Sequence, residues 1–245
     1  MTRMSALDDL AARPFHDADA PQRAQMLSRL ADTELVVALV AEPAGETLDF
    51  RVFPLEDGPV ALACDGEDRL AGFFGGPVAY AALPGRVLAG ILRAEGTGLL
   101  VNPGAPSEML LDAGMLDWLS GALAASPEEA EARLRLSPPD TAAVAALAEP
   151  LATRLADLRG LISGAALAGT GAGGHLLLIA GADPDRQPAI AKALSETLAF
   201  LPPQPGGVDI SFSEIVPPAA ALRFDLTIEP PAPSPPKPKR PPILR

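Results

Sequence analysis

Apolar positions recur along this chain with two periods, and the switches between them mark out its elements. Helical spacing comes first. Leu7, Leu10 and Ala11 share a side of a short helix over 4–13, which Pro14 should stop. Met26, Leu27 and Leu30 form the apolar face of a firmer helix from Pro21 to Asp32. Glu34–Val40 (ELVVALV) reads as a buried strand. Period two then takes over: Leu48, Phe50, Val52 and Pro54 fall on one side, Asp49, Arg51 and Phe53 on the other. Asp57-Gly58 is a hairpin turn signal, and Pro59–Asp65 is the partner strand. Gly66–Phe74 reads as a turn and a short helix closed by Gly75-Gly76-Pro77. Leu83–Arg93 is the next helix, with Val87, Leu88 and Ile91 inward. Gly85 and Gly90 either weaken it or let it pack closely.

Strand Gly98–Val101, the turn Asn102-Pro103-Gly104 and strand Glu108–Leu111 lead into a helix from Asp112 to Leu123. Asp112 is its N-cap, and Trp118 flanks its apolar face. The charged stretch 126–139 reads as a solvated helical connector, with a domain boundary at about residue 130. Beyond it, 141–159 is helical in two pieces parted at Pro150. Leu161–Gly169 and His175–Ala180 are strands on either side of the loop GTGAGG. A helix over Gln187–Leu201 and strands Val208–Ile215 and Ala221–Glu229 complete a ββαββ outline. The fold class is therefore α/β (α+β), in two small domains over 1–130 and 131–229. Each is a mixed or mostly antiparallel sheet with helices packed on it. Residues 230–245 (PPAPSPPKPKRPPILR) change character: half are proline, and Lys237, Lys239, Arg240 and Arg245 meet no acid. They read as a proline-rich, basic, disordered tail of polyproline-II type.

Charge narrows the function classes. With 31 acidic against 19 basic residues, the net charge of -12 argues against nucleic-acid binding and against electrostatic attachment to anionic membranes. No apolar run approaches the length of a membrane helix, and the first 15 residues lack a signal-peptide core, so the expected location is cytoplasmic. A single cysteine, Cys64, excludes an internal disulfide framework and a cysteine-based zinc site.

No catalytic constellation emerges. GTGAGG at 169–174 ends without the Lys-Ser/Thr of a phosphate loop and opens onto an apolar strand, so it reads as a hairpin loop. His16 and His175 are too far apart to suggest a metal pair, and His175 reads as structural or surface. Cys64 has no cationic neighbour in sequence and reads as a buried small hydrophobe. Ser163, Ser195, Ser211 and Ser213 lack the G-x-S-x-G elbow of an α/β-hydrolase. Asp49, Glu56, Asp57, Asp65, Glu67 and Asp68 gather around the hairpin as a solvated acidic rim, or as a surface for a basic partner or cation. Trp118 with Phe73, Phe74 and Tyr80 reads as core packing rather than an exposed patch. No catalytic, cofactor-binding or metal residue and no cofactor is expected. The candidate interaction surface is Asp49, Arg51, Asp65 and Trp118, and Asn102, Pro103 and Gly104 are a fold-signature turn.

The segments LDFRVFPLEDGPVALACDGEDRLAGFFGG, YAALPGRVLAGIL and GLLVNPGAPSEMLL resemble the amino-terminal domain of the SseB family, named for enhanced serine sensitivity. The features that carry the resemblance are the paired strands 48–65 with D-G-x-x-x-L, the Phe73-Phe74 turn and the Asn102-Pro103-Gly104 turn. Where the family pattern has a Phe-Thr-Ser-like turn, this chain has Phe74, Gly75 and Gly76. Residues 161–228 are similar to the family's carboxy-terminal domain. The resemblance implies a cytosolic bacterial protein and supplies no catalytic residues. The expectation is a non-enzymatic interaction or regulatory protein with an unidentified protein partner and a link to serine or amino-acid tolerance. The alternative is a small-ligand domain or enzyme acting on an amino-acid-related metabolite. In either case the basic tail is expected to fold back weakly on the acidic body.

Overall fold

The computed structural model describes residues 4–43, 47–56, 58–127, 135–171, 173–213 and 215–226. The tail 230–245, Asp57 of the hairpin turn and residues 128–134 of the connector lie outside them. The first half opens with helices α1 (Ala6–Leu10) and α2 (Ala20–Asp32), then strands β1 (Glu34–Ala38), β2 (Val52–Leu55) and β3 (Gly58–Cys64). It continues with α3 (Glu67–Phe74), β4 (Tyr80–Pro84), α4 (Gly85–Ala94), β5 (Gly98–Val101), β6 (Met109–Leu111) and α5 (Ala113–Ala124). The strands form one mixed sheet in the order β4-β1-β3-β5-β6, with β2 paired to β3 as well. β3 and β5 run parallel, joined by the crossover through α3, β4 and α4; the other pairings are antiparallel.

Alternation sorts the strands onto two faces. Leu35, Val37, Ala61, Ala63, Leu99, Val101, Met109 and Leu111 point inward, where α2, α4 and α5 cover them in one core. Val36, Ala38, Leu62 and Cys64 point outward into a smaller cluster covered by Leu70 of α3. Leu7 of α1 joins the inner core as well, whereas α3 lies on the outer face.

The second half comprises β7 (Leu136–Ser137), α6 (Thr141–Asp157), β8 (Gly164–Thr170), β9 (His175–Ala180), α7 (Gln187–Ala199), β10 (Val208–Phe212) and β11 (Leu222–Phe224). Its sheet runs β10-β9-β8-β11, with β7 also on β8. It is mostly antiparallel; β9 and β10 are parallel. α6 and α7 pack on one face over Ala165, Leu167, Leu177 and Ile179. The fold class read from the sequence therefore holds for both halves.

Several elements differ from the pattern reading. β1 stops at Ala38; Leu39 instead bridges to Phe50, and β2 begins only at Val52. β4 went unread because Tyr80, Ala82 and Pro84 alternate with Ala81 and Leu83 at little contrast, and it displaces the start of α4 from Leu83 to Gly85. Leu136 and Ser137 are strand, not helical connector. α6 runs unbroken through Pro150. Its stripe of Leu147, Leu151 and Leu155 is fully buried on either side of the proline. Three leucines sealed in a core outweigh the roughly 3 kcal/mol that an interior proline costs. Of the two α4 glycines, only Gly85 is needed for packing. A Cβ there would lie 2.0 Å from the Leu30 carbonyl oxygen, whereas Gly90 faces open space.

Candidate interaction surface

Asp8, Asp65, Arg69, Asn102 and Ser107 meet at the carboxyl ends of the parallel strands β3 and β5. Asp8 sits in the first turn of α1 and closes a capping box with Ser5. The Ser5 amide donates to Asp8 Oδ2 at 3.0 Å, and the Asp8 amide to Ser5 Oγ at 3.3 Å. The Ser107 hydroxyl donates to Asp8 Oδ1 at 2.6 Å, and Arg69 reaches down from α3 to grip both carboxylate oxygens. Arg69 Nε also lies 3.3 Å from Asp65 Oδ1, an ion pair without hydrogen-bond geometry. Burial opposes the charged form of Asp8, but the bonds from Arg69, Ser107 and the Ser5 amide outweigh it and hold the carboxyl far below its ordinary range. Arg69 is pushed up, chiefly by its bond to Asp8.

The turn Asn102-Pro103-Gly104 enters this network. Asn102 has φ 47° and Gly104 φ 77°, so both occupy the left-handed region. Asn102 Oδ1 accepts from the Asp65 amide at 2.9 Å, its Nδ2 donates to Ser107 Oγ at 2.9 Å, and its amide donates to the Ala63 carbonyl at 3.0 Å. The turn therefore clamps β3 to β5 as well as reversing the chain. Cys64 lies beneath it, buried, its thiol pushed up to about 11 by burial and then by the Asp65 charge. The small-hydrophobe reading of Cys64 stands.

Locked by Arg69, α3 covers only part of the outer sheet face. Phe74 packs on that face with Phe53, their ring centroids 6.2 Å apart, and Phe73 meets Phe74 edge-on at 5.2 Å. The guanidinium of Arg51 stacks over Phe74 at 5.2 Å. Beyond α3 the face stays apolar and open: Leu55, Phe73 and Leu110 are each about half exposed, and Phe53 and Leu100 are partly so. Leu110 pairs across to Leu100, and Phe53 across to Val60, so these side chains form one strip across four strands. Glu56, Glu67 and Asp68 are exposed around it.

The four surface residues read from the sequence part company here. Asp49 is exposed beside the Leu39–Phe50 bridge, and Arg51 lies on the open strip. Asp65 is beneath the surface, its side chain 3% exposed. Trp118 is on α5, in the helical layer on the other side of the sheet, edge-on to Phe200 at 5.4 Å. Core packing of the aromatics as one group is overturned, since Phe73, Tyr80 and Trp118 are all substantially exposed and Trp118 is apart from the rest. Asp8, Arg69 and Ser107 were missed. The i, i+4 spacing of Asp65 and Arg69 was the one local signal for them.

Residues 8–118 match the family model of the SseB protein N-terminal domain. This part of the chain is an SseB-like amino-terminal domain. The match begins at Asp8 of the buried network and ends at Trp118. Comparison with curated proteins and with solved structures gives no match.

The SseB-like domain is joined to the second half along α2, α4 and α5. Arg86 of α4 bridges Asp32 of α2 at 2.5 Å and Glu196 of α7 at 3.1 Å. Arg154 of α6 reaches the other oxygen of Asp32 at 2.6 Å. Lys192 donates to the Leu123 and Ala125 carbonyls at the end of α5. Phe200, just after α7, is buried in the first half's core. Burial opposes ionisation of Asp32, but Arg154 and Arg86 lower its pKa below the ordinary value.

In the second half, β8 and β9 pair as a hairpin around GTGAGG, as expected, with Gly169 and Thr170 ending β8 and Ala172 outside the described residues. His175 is buried at the start of β9, and its Nε2 accepts at 3.3 Å from the amide of Asp140, the N-cap of α6. That is a structural role. On the face of this sheet away from α6 and α7, a cavity of about 300 Å³ is lined by Ala166, Leu178, Ser163, Ser213, Arg223 and Phe224, among others. Among the described residues no group of three or more His, Cys, Asp or Glu could hold a metal ion, and no helix is long and apolar enough to cross a membrane.

Proposed function

We propose that this chain is a non-enzymatic, cytoplasmic bacterial interaction protein that engages a protein partner through the outer face of its SseB-like sheet. The observation that carries this reading is the apolar strip Leu55–Phe53–Leu100–Leu110 with Phe73, left open beside a helix fixed by a buried ion-pair network. A rigid apolar strip with a polar rim has the anatomy of a docking patch. Asp49 and Arg51 border it. Residues 131–229 are the counterpart of the family's carboxy-terminal domain in this reading, with the boundary near residue 130. The link to serine or amino-acid tolerance acts through the partner.

The test is site-specific photo-crosslinking in native lysate, with a benzophenone side chain at Leu55 or Leu110 and a control at Val87, which α4 exposes although its spacing placed it inward. A recurrent adduct at Leu55 and Leu110, absent at Val87 and lost in Phe53→Ser, supports the reading. The same adducts at all three positions, or none at Leu55 and Leu110, sinks it.

The alternative, a small-ligand domain for an amino-acid-related metabolite, draws on the cavity over the second sheet. At about 300 Å³ it is at the lower end of small-ligand sites, and Arg223 and the two serine hydroxyls would suit a carboxylate. A melting-temperature screen with serine and related amino acids decides it: a shift abolished by Ala166→Phe favours this reading, and no shift removes it.

A further inference from the structure

The outer strip is apolar, aromatic and bordered by acid. Glu56, Glu67 and Asp68 are exposed beside it, and between Glu42 and Asp68 the sequence places seven carboxylates besides the buried Asp65 against one base, Arg51. The chain's other end has the opposite chemistry. Residues 230–245 hold four of its 19 basic residues and none of its 31 acidic ones, alternate them with prolines, and finish in Ile243-Leu244-Arg245. Building on the docking face above, we infer that this proline-rich basic tail is the intramolecular occupant of the strip and competes there with the partner.

Three arguments support the assignment. Proline-rich segments favour an extended polyproline-II form and dock on aromatic-lined surfaces at small cost in conformational entropy. The strip presents the rings of Phe53, Phe73 and Phe74. Charge complements charge: Lys237, Lys239 and Arg240 meet Glu56, Glu67 and Asp68, while Ile243 and Leu244 supply the apolar end. The chain also reaches. Extended at about 3.1 Å per residue, the chain after Leu226 would carry Lys237 about 34 Å and Leu244 about 56 Å away, against the roughly 45 Å diameter of a compact chain of this length, so the apolar end has the longest reach. Rim contacts of this kind are screened by salt, so a partner with a better apolar anchor displaces the tail.

The experiment uses the full chain with benzophenone at Leu55, diluted so that copies rarely meet, and maps adducts by mass spectrometry. The expected product is a crosslink within one chain to residues 230–245. Its yield should fall by roughly fivefold in 1 M salt, where the Debye length shrinks to about 3 Å. It should fall similarly in a chain carrying Lys237→Glu, Lys239→Glu and Arg240→Glu, and the Val87 control should give none. No tail adduct at Leu55, an equal adduct at Val87, or an adduct only between differently labelled copies overturns the proposal. The charge-reversed chain, probed at Leu55 in lysate, separates this from the docking face itself. A partner adduct that rises there as the tail adduct falls supports the competition, a partner adduct in an unaltered chain that gives no tail adduct condemns the tail alone, and loss of both adducts condemns the face.

Discussion

At the scale of the residue, Asp8 and Asn102 decide most. Asp8 is ionised in the fold at pH values where a free aspartate, with an ordinary value of 3.8, would bind a proton. A carboxyl depressed on folding adds stability that is fully present above its unfolded pKa and is lost as pH falls below it. Asp32 is shifted in the same direction. The urea midpoint should therefore begin to drop as pH falls below about 4 and keep dropping toward pH 2, and Asp8→Asn should be less stable at pH 7 yet lose less over that interval. An equal loss in both chains would refute the role given to Asp8. Asn102→Ala removes two buried side-chain bonds and leaves an alanine at positive φ. It should cost about 3 kcal/mol in urea unfolding. The sequence marked Asn102 as a turn residue because turn chemistry is local. Its clamp on Asp65 and Ser107 was hidden because it joins segments 37 residues apart. The same holds for Arg69 and Asp8, 61 residues apart, since no periodicity encodes such a pairing.

At the scale of the element, α4 offers a matched pair. Gly85→Ala would drive a methyl into the Leu30 carbonyl and should cost about 3 kcal/mol by forcing α2 and α4 apart. Gly90→Ala, on the same helix with nothing near it, should add about 0.5–1 kcal/mol through helix propensity. Equal effects in thermal unfolding would mean that close approach is not what Gly85 provides. Long periodic elements were legible: α2, α5 with its Asp112 cap and α7 lie where their patterns place them, and the β2–β3 and β8–β9 pairs form as read, with β2 starting four residues and β8 three residues later than their patterns. Short or low-contrast ones were not. β4 sets Ala81 and Leu83 against Tyr80, Ala82 and Pro84 with little contrast in polarity, and β7 is two residues long. At Pro150 the local rule lost to tertiary burial. The open strip escaped notice because each strand shows its alternation alone, and only the pairing of Leu100 with Leu110 and of Val60 with Phe53 reveals a continuous surface.

At the scale of the molecule, the two sheets are coupled. Glu196 is buried between Arg86 of the first half and Lys192 of its own helix, so its ion pairs span the two halves. Arg86→Ala leaves that carboxylate poorly paired and should cost about 2 kcal/mol, tempered by the partial exposure of Arg86. Calorimetry should record one unfolding transition for the whole chain. Phe200→Ala should lower it by about 3 kcal/mol or split it in two, because it empties a place in the first half's core. Two independent transitions in the unaltered protein would show that the halves fold separately.

Phe200 also sets an order of events during synthesis. The core it completes belongs to residues made long before it, so the first sheet and its helices leave the ribosome with one seat beside Trp118 still empty. At about 5–20 residues per second, the interval between α5 and Phe200 is on the order of 4–15 seconds. For that time the nascent chain carries a sticky hollow on the face opposite the open strip. A ribosome-bound chain halted before α7 should recruit a chaperone there, and one halted after the whole of α7 has emerged should release it.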